Sequence, residues 1–114
     1  MSILRSWVSA GESGPVITLS GEADITAVTE LSELITGQLA DETRRLTINV
    51  AGLDFADTAG IRVFLVAARR LRERGGDLVL LRPQRALTRV LGILGADEVV
   101  AIQGKTEDAP EPEP

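Results

Sequence analysis

Leu53-Asp54-Phe55-Ala56-Asp57-Thr58-Ala59-Gly60-Ile61 lies between two different hydrophobic patterns. Before it, Leu46, Ile48 and Val50 alternate with Thr47 and Asn49, the period of a strand with one apolar face. After it, Ile61, Phe64, Leu65, Ala68 and Leu71 recur at helical spacing, with Arg62, Arg69, Arg70, Arg72 and Arg74 on the remaining faces. The stretch therefore reads as a strand-to-helix turn. Asp57 stands where an N-cap belongs, and Thr58 follows in the first turn, where backbone N–H groups have no intrahelical partner. A hydroxyl held there is exposed and open to modification. Taken alone, however, Asp-Thr at a helix start is also an ordinary capping pair.

On the C-terminal side, Gly75-Gly76 supplies the stop of this helix, and Leu78 to Leu81 is a short aliphatic run suited to a strand buried from both sides. Strand, helix and strand in that order require a parallel, right-handed crossover. Pro83 ends the run and opens another helix with Leu87, Val90, Leu91 and Leu94 on its apolar face. Gly95 is its C-cap, and Glu98 to Ile102 reads as a final short strand.

On the N-terminal side, Asp41 to Arg45 is a charged connection, preceded by a helix pattern of Val28, Leu31, Leu34, Ile35, Gln38 and Leu39. Thr26 or Asp24 is its candidate cap, and an acid at Asp24 meets the helix dipole favourably. Residues 3 to 9 and 16 to 20 alternate around Gly11-Glu-Ser-Gly-Pro15, the composition of a hairpin. Trp7, the one indole, reads as a partly buried strand residue, since no second aromatic lies near it to build a binding platform.

The chain has 114 residues, enough for one domain. Hydrophobic residues make up 44% but aromatics only 3%, so Leu, Ile, Val and Ala must fill the core. There is no Cys and no His, which removes thiolate chemistry, the usual general base and the usual zinc ligands; no metal or cofactor is expected. The N-terminus lacks a signal-peptide pattern and no run reaches the ~20 apolar residues of a membrane span, so a cytoplasmic address is expected. Of the net charge of −5, residues 105–114 carry −3, one lysine against four acids. This Pro- and Glu-rich segment, 103–114, has almost nothing to bury and reads as a disordered tail following a domain at 1–102.

A family resemblance rests on four segments. Asp57-Thr58-Ala59-Gly60-Ile61 resembles the Asp-Ser-(Ser/Thr/Ala)-Gly-(Leu/Ile) signature of bacterial STAS-domain anti-sigma factor antagonists, with Thr in place of the more usual Ser. Gly21-Glu22-Ala23-Asp24 is similar to the Gly-Glu-Leu-Asp segment that leads into the family's first helix. Gly75-Gly76 before Leu78 to Leu81, and Leu94-Gly95-Ala96-Asp97 near the end, complete the order over residues 3 to 102. The resemblance implies a single α/β STAS domain, a mixed sheet with helices packed mainly on one face. Another helix often follows in the family; here that place holds the acidic tail.

The resemblance also implies a function. Unphosphorylated, the protein binds an anti-sigma factor that is also a Ser/Thr kinase, and so releases a sigma factor for transcription. Phosphorylation at Thr58 ends that contact, and a phosphatase acting on phospho-Thr58 resets it. Thr58 is then a substrate residue and not a catalyst. Asp24, Asp57, Thr58, Ala59 and Gly60 form the implied partner-binding surface, with Asp57 orienting the hydroxyl and Gly60 allowing close backbone approach.

Other readings stand beside this one. The same domain could be a non-switching adaptor in a stressosome-like or lipid-transport assembly, with Thr58 only a cap, or a module that binds a nucleotide or other anion at the helix start. Enzyme readings lack a base, a Cys nucleophile and a P-loop lysine, since Lys105 is the sole lysine. For the same reason a receiver-type phosphoaspartate domain is disfavoured. Eight arginines between positions 62 and 89 face only Glu73 and Asp77. In an acidic chain without stacking aromatics, they read as solvated helix faces and not as a nucleic-acid surface.

Overall fold

The structure, a computed structural model, describes residues 4–40 and 42–104. Strands β1 (Leu4–Gly11) and β2 (Gly14–Ala23) pair antiparallel around Glu12-Ser13, with Trp7 opposite Thr18 and Val8 opposite Ile17. A 3-10 turn at Ile25–Ala27 leads into helix α1 (Val28–Gly37). Strand β3 (Arg45–Ala56), helix α2 (Thr58–Glu73), strand β4 (Asp77–Leu81), helix α3 (Arg85–Ile93) and strand β5 (Ala101–Gln103) follow in turn. The sheet order is β1-β2-β3-β4-β5, and every neighbouring pair after the hairpin is parallel.

This topology explains the single-sided architecture. Each crossover moves one strand further in the same direction, and right-handed crossovers that never reverse place their helices on one face. The core accordingly joins Leu31 and Ile35 of α1, Ile61, Phe64 and Leu71 of α2, and Leu87 and Leu91 of α3 to inward residues of β2, β3 and β4. Phe64 is the one buried aromatic; the rest of the core is aliphatic, as the composition requires.

On β4, Leu78 and Leu80 face the helices, and Val79, on the other face between Thr47 and Ala101, is also buried. On that helix-free face Arg45 and Asp77 are register partners. The guanidinium donates from Nε and Nη2 to the two carboxylate oxygens at 2.9 Å each, and this contact raises the arginine pKa. At the end of α2 the Gly75 amide donates to Arg72 O (3.0 Å) and the Gly76 amide to Leu71 O (2.8 Å), a Schellman closure with Gly75 at φ 79°.

Three expectations change. β3 does not stop at Val50 but continues to Ala56. Ala51 and Gly52 break the apolar alternation, yet β2 follows through two register shifts, between Thr18 and Ser20 and between Gly21 and Glu22, and pairing runs on to Ala23 opposite Ala56. Trp7 is 55% exposed, because it lies on the helix-free face of an outermost strand. Glu98 belongs to a 3-10 turn, Ala96–Glu98, and the final strand begins only at Ala101. The expected tail lies outside the described residues apart from Gln103, which ends β5, and Gly104. No helix among the described residues is long and apolar enough to cross a membrane.

Candidate functional site

The ladder between β2 and β3 ends at Ala23 and Ala56, so the residues that follow, Asp24 and Asp57, start two helical segments side by side. Each acid caps its own segment. Asp24 Oδ1 accepts from the Thr26 amide (2.9 Å) and the Thr26 hydroxyl (2.6 Å). Asp57 Oδ1 accepts from the Gly60 amide (3.1 Å), three residues on, satisfying an otherwise orphaned donor of the first turn.

The second carboxylate oxygen of Asp57 has a longer reach. Oδ2 accepts from the Ile25 amide (3.1 Å), and the Asp57 amide donates to the Ala23 carbonyl oxygen (3.3 Å). One aspartate thus caps α2 and bolts it to the start of the segment before α1. Sequence spacing shows the first role but not the second, since the partners are 32 residues apart. Asp57→Ala removes both contacts. It should destabilise the fold by about 1–2 kcal/mol in urea unfolding. A loss below about 0.5 kcal/mol would show that the bolt carries no weight.

Four of the five predicted site residues, Asp24, Asp57, Thr58 and Ala59, are at least partly accessible, and Thr58 is exposed. Its hydroxyl makes no hydrogen bond among the described residues. Gly60 differs. It is buried, and a Cβ there would collide with the Ala23 carbonyl oxygen and stand 3.2 Å from the Ala23 Cβ. Within this chain the close backbone approach at Gly60 is made to β2.

Beyond Thr58 a groove of about 660 Å³ runs between α1 and α2. Ile25, Val28, Ile35 and Leu39 form one wall; Thr58, Ala59, Arg62, Val63, Val66 and Arg70 form the other. Ile25 is 72% and Val66 49% exposed, so apolar surface continues from Thr58 along the groove. No local sequence pattern marks this groove, because its two walls come from segments distant in the chain; only the four-residue step from Thr58 to Arg62 along one wall is visible in the sequence. Among the described residues no group of three His, Cys, Asp or Glu side chains converges on a metal position.

Comparison with known proteins agrees with this architecture. A family model described as "Mlab, STAS domain" matches residues 7–102. The anti-sigma-F factor antagonist RsfA of Mycobacterium tuberculosis is 30% identical over 108 residues, covering 93% of this chain and 84% of that protein. An anti-sigma-B factor antagonist of Staphylococcus aureus is 25% identical over 91 residues, covering 80% and 84%. Among solved structures, an anti-sigma factor antagonist from Mycobacterium paratuberculosis superposes with a TM-score of 0.79 at 21% identity, covering 94% of this chain and 91% of that one. Unphosphorylated SpoIIAA superposes at 0.71 with 23% identity, covering 91% and 92%. Sequence match and superposition together place this chain in the STAS-domain family.

Proposed function

We propose that this protein is an anti-sigma factor antagonist that works by partner switching at Thr58. In the unphosphorylated state it binds an anti-sigma factor with Ser/Thr kinase activity and so frees a sigma factor. The observation that carries this reading is an exposed Thr58 hydroxyl, without a hydrogen-bond partner among the described residues, opening α2 beside a doubly anchored Asp57. Relatives along most of the chain bear the name anti-sigma factor antagonist. SpoIIAA, a neighbour in fold, has been described in both unphosphorylated and phosphorylated forms.

In the proposed step, the Thr58 oxygen attacks the γ-phosphorus of ATP held by the kinase. The Oγ–P bond forms, ADP leaves and a base of the kinase takes the hydroxyl proton. The product carries about −1.5 to −2 charge at neutral pH. The amides at the start of α2 favour an anion there, whereas Asp57 and Asp24 oppose it. The fold therefore survives the modification while the surface formed by Asp24, Asp57, Thr58 and Ala59, with Gly60 beneath, changes in shape and charge. A phosphatase that hydrolyses phospho-Thr58 restores the binding form.

Intact-mass spectrometry after incubation with ATP and candidate anti-sigma kinases tests this reading. The expected product carries one acid-stable phosphate, mapped to Thr58, absent from Thr58→Ala and accompanied by loss of kinase binding. A kinase that binds the wild-type chain yet leaves Thr58 unmodified would favour the non-switching adaptor.

A further inference from the structure

Four arginines of α2 and its C-cap fall into two pairs. Arg72 donates to the Glu98 carbonyl oxygen (3.1 Å), and Arg74 to those of Ala40 (2.6 Å) and Thr43 (3.2 Å), so these two tie elements together. Arg62 and Arg70 instead line the α1–α2 groove and make no hydrogen bond or ion pair among the described residues. Both are exposed. The Asp57 carboxylate at the groove mouth accepts backbone amides on both oxygens and forms no ion pair with Arg62.

Arg62 follows Thr58 by four residues in the same helix, and the two side chains line the same groove. Residues at this spacing are neighbours one turn apart, and an anion N-terminal to a cation is the favourable order. Arg70 lies eight residues further along the axis than Arg62, about 12 Å at 1.5 Å per residue, too far to share the same anion.

We propose that Arg62 is the residue that holds the phosphate once Thr58 is modified. This rests on the reading of Thr58 as the phosphorylated residue and adds the group within this chain that senses the change. Before modification the Arg62 guanidinium stands over an apolar groove, open to a carboxylate of a bound partner. After modification its N–H groups donate to the phosphate oxygens on the preceding turn, in the manner of a charge-assisted pair. Phosphorylation then acts twice, adding negative charge at the groove mouth and withdrawing a positive charge from the partner. The groups facing the phosphate are Arg62 and the α2 amides, which favour the dianion, and Asp57 and Asp24, which disfavour it.

The test places phosphothreonine at position 58 by genetic-code expansion, without any kinase, and titrates the phosphate by phosphorus NMR. The second phosphate pKa should be about 0.5 lower in the otherwise wild-type chain than in Arg62→Gln, as an exposed ion pair allows. Arg62→Lys should keep part of that difference, and Arg70→Gln should match the wild type. High salt should narrow the gap. Equal phosphate pKa values in the wild type and Arg62→Gln would overturn the proposal. Because no kinase enters the measurement, a failure of kinases to modify Thr58 tells against the proposed function alone, and an unshifted phosphate tells against Arg62 alone.

Discussion

Thr58→Glu should bind the anti-sigma factor about a hundredfold or more weakly than Thr58→Ala, which should keep the wild-type affinity. The asymmetry follows from the site. Thr58 is exposed and its hydroxyl has no hydrogen bond to lose among the described residues, so alanine removes only a small surface group. Glutamate places a negative charge on the proposed docking surface, beside Asp57 and Asp24. Loss of roughly 3 kcal/mol of docking energy corresponds to more than a hundredfold in the dissociation constant. Both variants should unfold at nearly the wild-type urea concentration, because a carboxylate is tolerated in the first turn of a helix. Calorimetric titration of the anti-sigma factor with each variant checks the first statement, and urea melts check the second. Equal affinities for the two variants would point to a fixed adaptor in which Thr58 only begins a helix.

Gly60→Ala should produce the larger effect on the fold, a loss of about 3 kcal/mol and a melting temperature lower by roughly 10–20 °C. The added methyl meets the carbonyl of Ala23, which is backbone of a central strand and cannot rotate aside as a side chain could. To relieve the contact, the start of α2 must move away from β2. That movement stretches the Asp57 amide bond to Ala23 and the Asp57 carboxylate bond to Ile25. Binding at Thr58 should therefore weaken even in the fraction that stays folded. Gly37→Ala is the control. That glycine closes α1 with nothing within 4 Å of the added carbon, so the substitution should be neutral or stabilising by up to about 1 kcal/mol. If Gly60→Ala were equally harmless, the close approach of α2 to β2 would not be what positions the site.

Much of this organisation was legible in the residues themselves. The alternation of Leu46, Ile48 and Val50, the stripe from Ile61 to Leu71 and the glycines at 75 and 76 report local periods and breaks, which depend on neighbours along the chain. The same is true of the two caps, since Asp24 reaches Thr26 and Asp57 reaches Gly60 within three residues. The motif around Thr58 could thus be assigned to a helix start, and the parallel crossovers followed from element order alone.

Where the reading stopped short, the deciding contacts were between segments distant in sequence. The continuation of β3 past Gly52 depends on β2 shifting register beside it, and no pattern within β3 encodes that accommodation. Trp7 has the same alternating neighbours whether its face is covered or bare; only the one-sided placement of the helices leaves it in solvent. The burial of Gly60 against Ala23, the second bond of Asp57 and the separation of Arg62 and Arg70 from Arg72 and Arg74 all arise when β2 and β3 end together and α1 lies beside α2. Short-range periodicity and capping chemistry determined which residues begin a helix and which hydroxyl stands exposed. Packing between distant segments decided how the two helix starts are held together and which arginines are left facing the groove.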